Sequence, residues 1–285
     1  MGRPNVGKST LLNHLIGQKI SITSRKPQTT RQSLLGIKTI GNAQIVYVYT
    51  PGFHVGYKKA INKYMARTIS TVLLDVDLVL FVIDRLYLID EDRMLLAEIA
   101  KTGRPVMMLI NKIDEFDDKE AMLPFIASLA DEALHFAEIV PVSALKHYNT
   151  DQLELAITRH LPESPWLFPE DQLTDKTARY LAAEYIREKI TRQMGDELPY
   201  EVAVEIEEYK AEPGLHRIGA VIYVEKASQK KMLIGEAGSR LKLIGTEARL
   251  DMERLFECKV MLSLWVKVKQ GWSDDERALK SLGYD

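Results

Sequence analysis

The feature that most constrains this sequence is a phosphate-binding pattern at its start. The pattern G-x-x-x-x-G-K-[ST] is matched by Gly2-Arg3-Pro4-Asn5-Val6-Gly7-Lys8-Ser9. In such a loop the backbone N–H groups point at phosphate oxygens, the Lys8 amine can reach the β- and γ-phosphates, and the Ser9 hydroxyl can bind Mg²⁺. A helix that begins near Lys8 adds the positive end of its dipole. The pattern therefore predicts a site for a nucleoside triphosphate.

Only Met1 precedes this loop. Because a phosphate loop ordinarily joins a buried strand to a helix, two explanations stay open. Either the chain is shortened at its start, or the nucleotide site lacks one wall. A shortened start could also conceal a secretory signal.

The bulk composition excludes several classes of protein. With 285 residues, 46% hydrophobic and 27% charged, the chain is typical of a soluble globular protein with two domains. A net charge of −2 gives no overall attraction to nucleic acid, so RNA binding requires a local basic patch. The single cysteine, Cys258, excludes an internal disulfide and favours a reducing compartment such as the cytoplasm. No apolar run approaches the ~18 residues of a membrane-spanning helix.

The first part of the chain alternates apolar strands with helices, which predicts an α/β domain with a mostly parallel sheet. Strands are predicted over Gln44–Val48, Leu78–Ile83, Val106–Ile110 and Glu138–Val142. Helices are predicted over Ala60–Leu74, Asp90–Thr102, Lys119–Leu134 and Leu153–His160. Three of the strands are almost continuously apolar, as expected for strands buried on both faces. Asp84, at a strand end, is expected to be a helix-cap or loop residue.

Three prolines within residues 162–169 predict a semi-rigid linker. The sequence is therefore divided into a nucleotide-binding domain over residues 1–162, a linker over 163–173 and a second domain over 174–285. The second domain is predicted to be α+β, in the order helix, strand, strand, helix, helix, strand. Thr174 is expected to cap its first helix.

A second nucleotide motif, N-K-x-D, follows the predicted strand Val106–Ile110 and consists of Asn111-Lys112-Ile113-Asp114. The Asp114 carboxylate can accept hydrogen bonds from N1–H and the 2-amino group of guanine. Adenine has neither donor and would leave the carboxylate unpaired, which costs about 1–3 kcal/mol. Lys112 is expected to lie over the base, and Asn111 to tie neighbouring loops together. The two motifs together predict GTP or GDP as the ligand.

The second domain contains a G-x-x-G loop between two predicted helices. Such a loop is typical of a KH domain, in which it clamps the nucleic-acid backbone; an ordinary turn between helices is the alternative. The loop is Gly235-Glu236-Ala237-Gly238, and its flanking cations are Lys230, Lys231, Arg240 and Lys242. This patch can bind phosphates, although Glu236 is expected to weaken the binding. The order of elements is that of a type II KH domain.

On the last predicted strand, Trp265 shares a face with Lys267 and Lys269. Two interpretations stay open for this face. It is either a basic edge with an aromatic ring for base stacking or a half-buried strand with solvated lysines.

The order of these motifs resembles that of the Era family of bacterial ribosome-assembly GTPases, and the resemblance covers essentially the whole chain. Besides the motifs above, it rests on Gln28-Thr29-Thr30-Arg31, Thr50-Pro51-Gly52 and Ser143-Ala144-Leu145. It implies that Thr29 or Thr30 lies in the first switch segment and contacts Mg²⁺. It also implies that residues 49–53 line the phosphates, with Gly52 among the catalytic residues, and that residues 143–145 place a backbone contact on the guanine oxygen.

One position departs from the family's pattern, and a second differs from Ras-like enzymes. Where the family has an Asp that orients Mg²⁺ through water, this chain has Tyr49, whose uncharged phenol is a poor partner for a hard dication. Phe53 cannot orient the attacking water as a Gln does in Ras-like enzymes. We therefore expect weaker Mg²⁺ retention and slow hydrolysis, with guanine binding less affected. In relatives with this loop an Asn helps to hold K⁺, so Asn5 either has that role or braces the loop.

The resemblance implies a GTPase that binds the 3′ end of small-subunit ribosomal RNA and acts in assembly of the 30S subunit. It also implies peripheral contact with the inner face of the cell membrane, which nothing in the sequence indicates. We expect a cytoplasmic monomer. One alternative is a hydrolysis-deficient pseudo-GTPase that acts mainly through RNA, and another is a GTPase whose second domain binds protein.

Overall fold

A computed structural model describes residues 1–24, 26, 31–50, 71–118, 120–131, 135–194 and 202–272. The chain divides into two compact units. The first comprises Met1–Gln18, Thr30–Tyr57 and Met65–Asp175. The second comprises Lys19–Thr29, Lys58–Tyr64 and Lys176–Asp285. No helix within the described ranges is long and apolar enough to cross a membrane.

The first unit is an α/β structure. Its helices and strands are α1 (Lys8–Ile16), β1 (Leu34–Ile40), β2 (Ala43–Tyr49), β3 (Val79–Ile83), α2 (Asp90–Ala100), β4 (Val106–Ile110), α3 (Met122–Asp131), β5 (Glu138–Pro141) and α4 (Thr150–Arg159). Strands β3, β4 and β5 form a parallel sheet in that order, and β1 and β2 form an antiparallel hairpin. The polar loops after β3, β4 and β5 therefore meet at one edge of the parallel sheet.

Alternate residues of β4 pack on opposite faces of the parallel sheet. Leu109 belongs to the core on the side of α1 and α4, where Leu153 is also buried. Ile110 belongs to the core on the side of α2 and α3, with Leu95. Burial of each such side chain contributes about 1.5–3 kcal/mol. The strand is buried on both faces, which confirms what its continuous apolar sequence predicted.

A gap separates the hairpin from the parallel sheet. Strands β2 and β3 are not paired, and a cavity of about 270 Å³ beside them is lined by Leu11, Leu15, Ile45 and other apolar residues. Met1 lies along β3: its amino group donates to the Leu80 carbonyl at 2.7 Å and its carbonyl accepts from Val82 N at 3.0 Å. No strand precedes the phosphate loop within the part of the chain that the structure describes.

The second unit is α+β, as predicted. Its elements are α5 (Ala178–Gln193), β6 (Val202–Glu212), β7 (Leu215–Val224), α6 (Ala227–Ile234), α7 (Ser239–Phe256) and β8 (Lys259–Val268). In the sheet β7 lies between β6, to which it is antiparallel, and β8, to which it is parallel. The core lies between this sheet and the helices, and includes Ile186, Val202, Ile222 and Met252.

Two local predictions differ from the structure. The N-cap of α5 is Thr177, whose hydroxyl accepts from Tyr180 N at 3.3 Å, and not Thr174. Thr174 instead forms a β-bridge with Gly36 of β1, and the next residue, Asp175, accepts from Leu35 N at 2.8 Å. Because these contacts hold the chain extended, the helix begins three residues later than predicted.

The predicted linker lies in the first unit. The side chain of Gln44 accepts from the backbone N–H groups of Leu167 and Phe168 and donates to the Phe168 carbonyl. This proline-rich segment therefore lies alongside the β1–β2 hairpin, to which these hydrogen bonds tie it. The predicted division of the chain into domains stays a prediction.

Candidate nucleotide-binding site

The phosphate loop of the first unit has the backbone conformation that its glycines permit. Gly2 has φ 133° and Gly7 has φ 98°, a region that other L-residues rarely adopt. A Cβ atom at Gly2 would lie 2.3 Å from the Val82 carbonyl oxygen, and one at Gly7 would lie 2.2 Å from Nδ2 of Asn111. Only glycine therefore fits at either position. Gly7 is the N-cap of α1, so the positive end of that helix faces the loop.

Lys8 folds back over the loop. Its amine donates to the carbonyl oxygens of Gly2 and Arg3, at 2.8 and 2.5 Å. Burial, together with the charge of Arg3, lowers the pKa of Lys8 to about 7, against an opposing effect of Asp84. The Lys8 amine is poorly solvated and its partners are neutral carbonyls. A phosphate anion would therefore stabilise its charged form more than it would stabilise the charge of an amine in water, so the loop fits an anionic ligand.

The Ser9 hydroxyl forms a hydrogen bond with the Tyr49 hydroxyl, at an O···O distance of 2.6 Å. Tyr49 is the last residue of β2, so the departure from the family's pattern lies beside the predicted Mg²⁺ ligand. The described residues contain no group of three or more His, Cys, Asp or Glu side chains that could hold a metal ion.

Several predicted site residues lie outside the described residues: Thr29, Thr30, Pro51, Gly52 and Phe53. Thr50 is buried, and its hydroxyl lies 3.1 Å from the Met1 sulfur. The roles predicted for these residues stay predictions.

Asn111 joins three loops. Its side chain, 1% exposed, donates to the Val6 carbonyl at 2.8 Å and accepts from Ala144 N at 3.0 Å. The phosphate loop, the N-K-x-D loop and the Ser-Ala loop are thereby fixed at the same edge of the sheet. Both ends of the buried amide are satisfied, which the energetics of buried polar groups require.

Asp114 lies in a short 3-10 turn, Ile113–Glu115, and is exposed. One of its carboxylate oxygens accepts from the Ser143 hydroxyl. Lys112, just before the turn, has φ 61°. Leu145 is 64% exposed beside the same loops. The carboxylate predicted to read guanine is therefore both accessible and oriented by a neighbouring hydroxyl.

Asp84 lies in the loop after β3, as expected, but sequence reasoning did not identify its ion-pair partners. It follows β3 and accepts from Lys112 Nζ at 2.9 Å, and it pairs with Arg3 of the phosphate loop at 3.3 Å. The only signal in the sequence was its position at the end of a buried parallel strand, where ligand-binding residues of such sheets gather.

In the second unit the G-x-x-G loop joins α6 to α7. Gly235 has φ 73°, Ala237 φ 47° and Gly238 φ 78°, so three of its four residues have a positive φ. Lys231 and Lys242 are exposed on the two sides of the loop, and Lys230 is half-buried. Glu236 and Ala237 are exposed at its tip, while the Arg240 guanidinium donates to the Met232 carbonyl at 2.7 Å.

On β8, Trp265 is 52% exposed. Lys267 pairs with Glu207 at 3.0 Å, and Lys269 lies over the Tyr223 ring at 5.3 Å from its centroid. These cations have partners within the unit. Both interpretations of this face stay open.

A phosphate loop tied to an N-K-x-D loop, and a separate unit with the strand order and G-x-x-G turn of a type II KH domain, define the class: a P-loop GTPase with a KH domain. A family model described as a 50S ribosome-binding GTPase matches residues 1–112, and a KH-domain model matches residues 197–273. Two curated relatives, GTPase Era of Pseudomonas fluorescens and of Pseudomonas syringae pv. tomato, are each 56% identical over 284 residues, covering 100% of this chain and 94% of the relative. The chain belongs to the Era family of GTPases.

Solved structures agree with this assignment. A crystal structure of Era in complex with MgGDPNP and nucleotides 1506–1542 of 16S ribosomal RNA is 39% identical, with a TM-score of 0.94 over 99% of this chain and 96% of that chain. A variant of Aquifex aeolicus Era bound to GDP and AlF₄⁻ is 40% identical, with a TM-score of 0.96 over the same shares. The predicted fold class is confirmed.

The comparisons also decide between the predicted alternatives. The curated relatives are named GTPases, and they align with the whole length of this chain. The chain is therefore a GTP hydrolase. The alternative of a hydrolysis-deficient pseudo-GTPase is not supported, and the doubt that Tyr49 raised about activity is not borne out.

Proposed function

We propose that this GTPase binds GTP and GDP with Mg²⁺ in its first unit and the 3′ end of small-subunit ribosomal RNA in its second unit, and that it acts in assembly of the 30S subunit. One observation supports the nucleotide site most strongly. The buried Asn111 amide fixes the phosphate loop, the N-K-x-D loop and the Ser-Ala loop at one place.

Different residues of the chain bind different parts of the nucleotide. The N–H groups of the loop and of the first turn of α1 bind phosphate oxygens, and Lys8 supplies a cation beside them. Asp114 accepts from the guanine base. Ser9, with Thr29 or Thr30, would hold Mg²⁺, which would neutralise phosphate charge. For Asn5, bracing of the loop and a contact with K⁺ remain alternatives.

The G-x-x-G loop and the exposed Lys231 and Lys242 support RNA binding. The loop offers backbone that can approach a phosphate closely, and the lysines supply the charge that a net charge of −2 does not. An Era structure that contains nucleotides 1506–1542 of 16S ribosomal RNA supports the choice of RNA over a protein ligand.

The RNA proposal can be tested with a matched pair of glycines. A Cβ at Gly238 or at Gly214 meets no atom within 4 Å, and their φ angles are 78° and 73°. Gly238→Asp and Gly214→Asp therefore place the same added charge at a similar positive φ in the same unit. We expect Gly238→Asp alone to weaken binding of a 3′-terminal 16S RNA fragment in a gel shift, with GDP affinity unchanged. Equal RNA affinity of the two variants would refute the assignment.

Gly235→Asp is a poorer choice for this test. A Cβ at Gly235 would lie 2.9 Å from the Arg240 Cβ, so a loss of RNA binding could reflect a displaced helix.

We further propose that the protein acts in the cytoplasm as a monomer, with peripheral contact with the inner face of the cell membrane. Resemblance to the family supports these three statements. Sedimentation of the purified chain tests the monomer, and flotation with anionic vesicles tests the membrane contact.

A further inference from the structure

Four charged side chains form a continuous row across the nucleotide site. The Arg3 guanidinium of the phosphate loop donates to Asp92 at 2.8 Å and to Asp84 at 3.3 Å. The other carboxylate oxygen of Asp84 accepts from Lys112 Nζ of the N-K-x-D loop at 2.9 Å. One carboxylate therefore binds both the loop predicted to hold phosphates and the loop predicted to hold the base.

Both carboxylates of this row are anchored in the fold. Asp92, in the first turn of α2, is fully buried, and its second oxygen accepts from Ile89 N at 3.2 Å. Asp84 directly follows β3, and its side chain is 15% exposed. Arg85 adds a third cation 3.5 Å from Asp84.

These cationic partners keep the Asp84 carboxylate ionised. Burial alone would raise the pKa of Asp84, but the hydrogen bond from Lys112 and the charges of Lys112, Arg3 and Arg85 together lower it below its usual value. The carboxylate is thus ionised at neutral pH and able to hold two cations at once.

We infer that Asp84 is a positioning residue for guanine nucleotides, which holds Lys112 and Arg3 in place before the ligand arrives. This inference rests on the proposed nucleotide site. A lysine has a flexible four-carbon stem, and ordering such a side chain opposes binding unless the protein has already ordered it. With its ammonium held by Asp84, Lys112 presents its apolar stem and not its charge to the base.

The test compares full-length variants by calorimetric titration with GDP. We expect Asp84→Asn to weaken GDP affinity roughly tenfold, the scale of ordering one or two long side chains. Asp90→Asn is the matched control, because Asp90 is exposed in the first turn of α2 and loses the same charge. Asp84→Glu keeps the charge and is expected to recover part of the affinity; it also serves if Asp84→Asn fails to fold.

A double variant separates positioning from a general structural effect. If Asp84 acts in part through Lys112, Asp84→Asn should cause a smaller loss of GDP affinity in a Lys112→Met background than in the unaltered chain, and the remaining loss reflects Arg3. Full additivity of the two substitutions would overturn the inference, as would equal GDP affinities of Asp84→Asn and Asp90→Asn. If the unaltered chain does not bind GDP, the proposed nucleotide site itself is wrong, which is a distinguishable result.

Discussion

Replacing Gly7 by alanine probes the junction on which the nucleotide site depends. The new Cβ would lie 2.2 Å from Nδ2 of Asn111, and that amide is buried and bonded at both ends. Moving it breaks its hydrogen bonds with the Val6 carbonyl and Ala144 N. Each buried group left without a partner costs about 1–3 kcal/mol. The left-handed backbone adds about 1–2 kcal/mol.

Gly17→Ala provides the matched control. Gly17 ends the helix that Gly7 begins, its φ is 77°, and a Cβ there meets nothing within 4 Å. It should therefore show the backbone strain alone, about 1–2 kcal/mol. We expect Gly7→Ala to lose about 2–6 kcal/mol more than Gly17→Ala in urea denaturation, and to lose GDP binding as well. Equal destabilisation by the two variants would refute the proposed role of Asn111.

Three further predictions follow from single residues. Because the pKa of Lys8 is about 7 in the free protein and a phosphate raises it, GDP binding at pH 8 should take up protons and weaken as pH rises; titrations in buffers of different ionisation enthalpy measure this. Asp114→Asn should weaken GDP binding about a hundredfold or more and allow xanthosine diphosphate to bind, because an amide can donate to the 2-oxo group; competition titrations test both. Glu188→Gln should destabilise the second unit by about 3–5 kcal/mol in denaturant, since fully buried Glu188 accepts from Lys19 at 2.6 Å.

Each of these predictions has a control or an outcome that would contradict it. Proton uptake should nearly vanish at pH 6, where Lys8 is already charged, and its absence at pH 8 would contradict the argument. Glu98→Gln, in an exposed pair with Lys101, should change stability by less than about 1 kcal/mol. Failure of Asp114→Asn to change base preference would refute its assignment.

The pH dependence at Glu188 has a definite sign. Burial alone would raise the pKa of Glu188, but hydrogen bonds from Lys19 and Thr23 and the charges of Lys19 and Arg192 lower it. Its stabilisation is therefore present above the unfolded carboxylate pKa and is lost as pH falls through the lower folded value.

Local signals were sufficient for much of the fold. Strand Val106–Ile110 has the bounds that were predicted, because five apolar residues lie between a proline and a polar motif. Helix Ser239–Phe256 was also predicted with its bounds. Strand Leu34–Ile40 was not predicted, since Gly36 and Lys38 interrupt its apolar run. The Gly41-Asn42 turn was the signal that could have found it.

Contacts between distant residues could not be predicted in this way. Thr174 has the chemistry of a helix cap, but its bridge to Gly36 holds it extended, and only the folded hairpin provides that partner. The pairing of Asp84 with Arg3 joins residues 81 positions apart. Sequence patterns give the residue types near a loop, whereas the partners of each charge depend on the tertiary fold.

Single-turnover hydrolysis of GTP tests the central claim most directly. The purified chain, in excess over GTP labelled at the γ-phosphate and with Mg²⁺ present, should release phosphate from GTP and none from ATP under the same conditions. Release that is slow but complete agrees with a site in which Phe53 replaces the water-orienting Gln. No release from GTP, or equal release from ATP, would contradict the account.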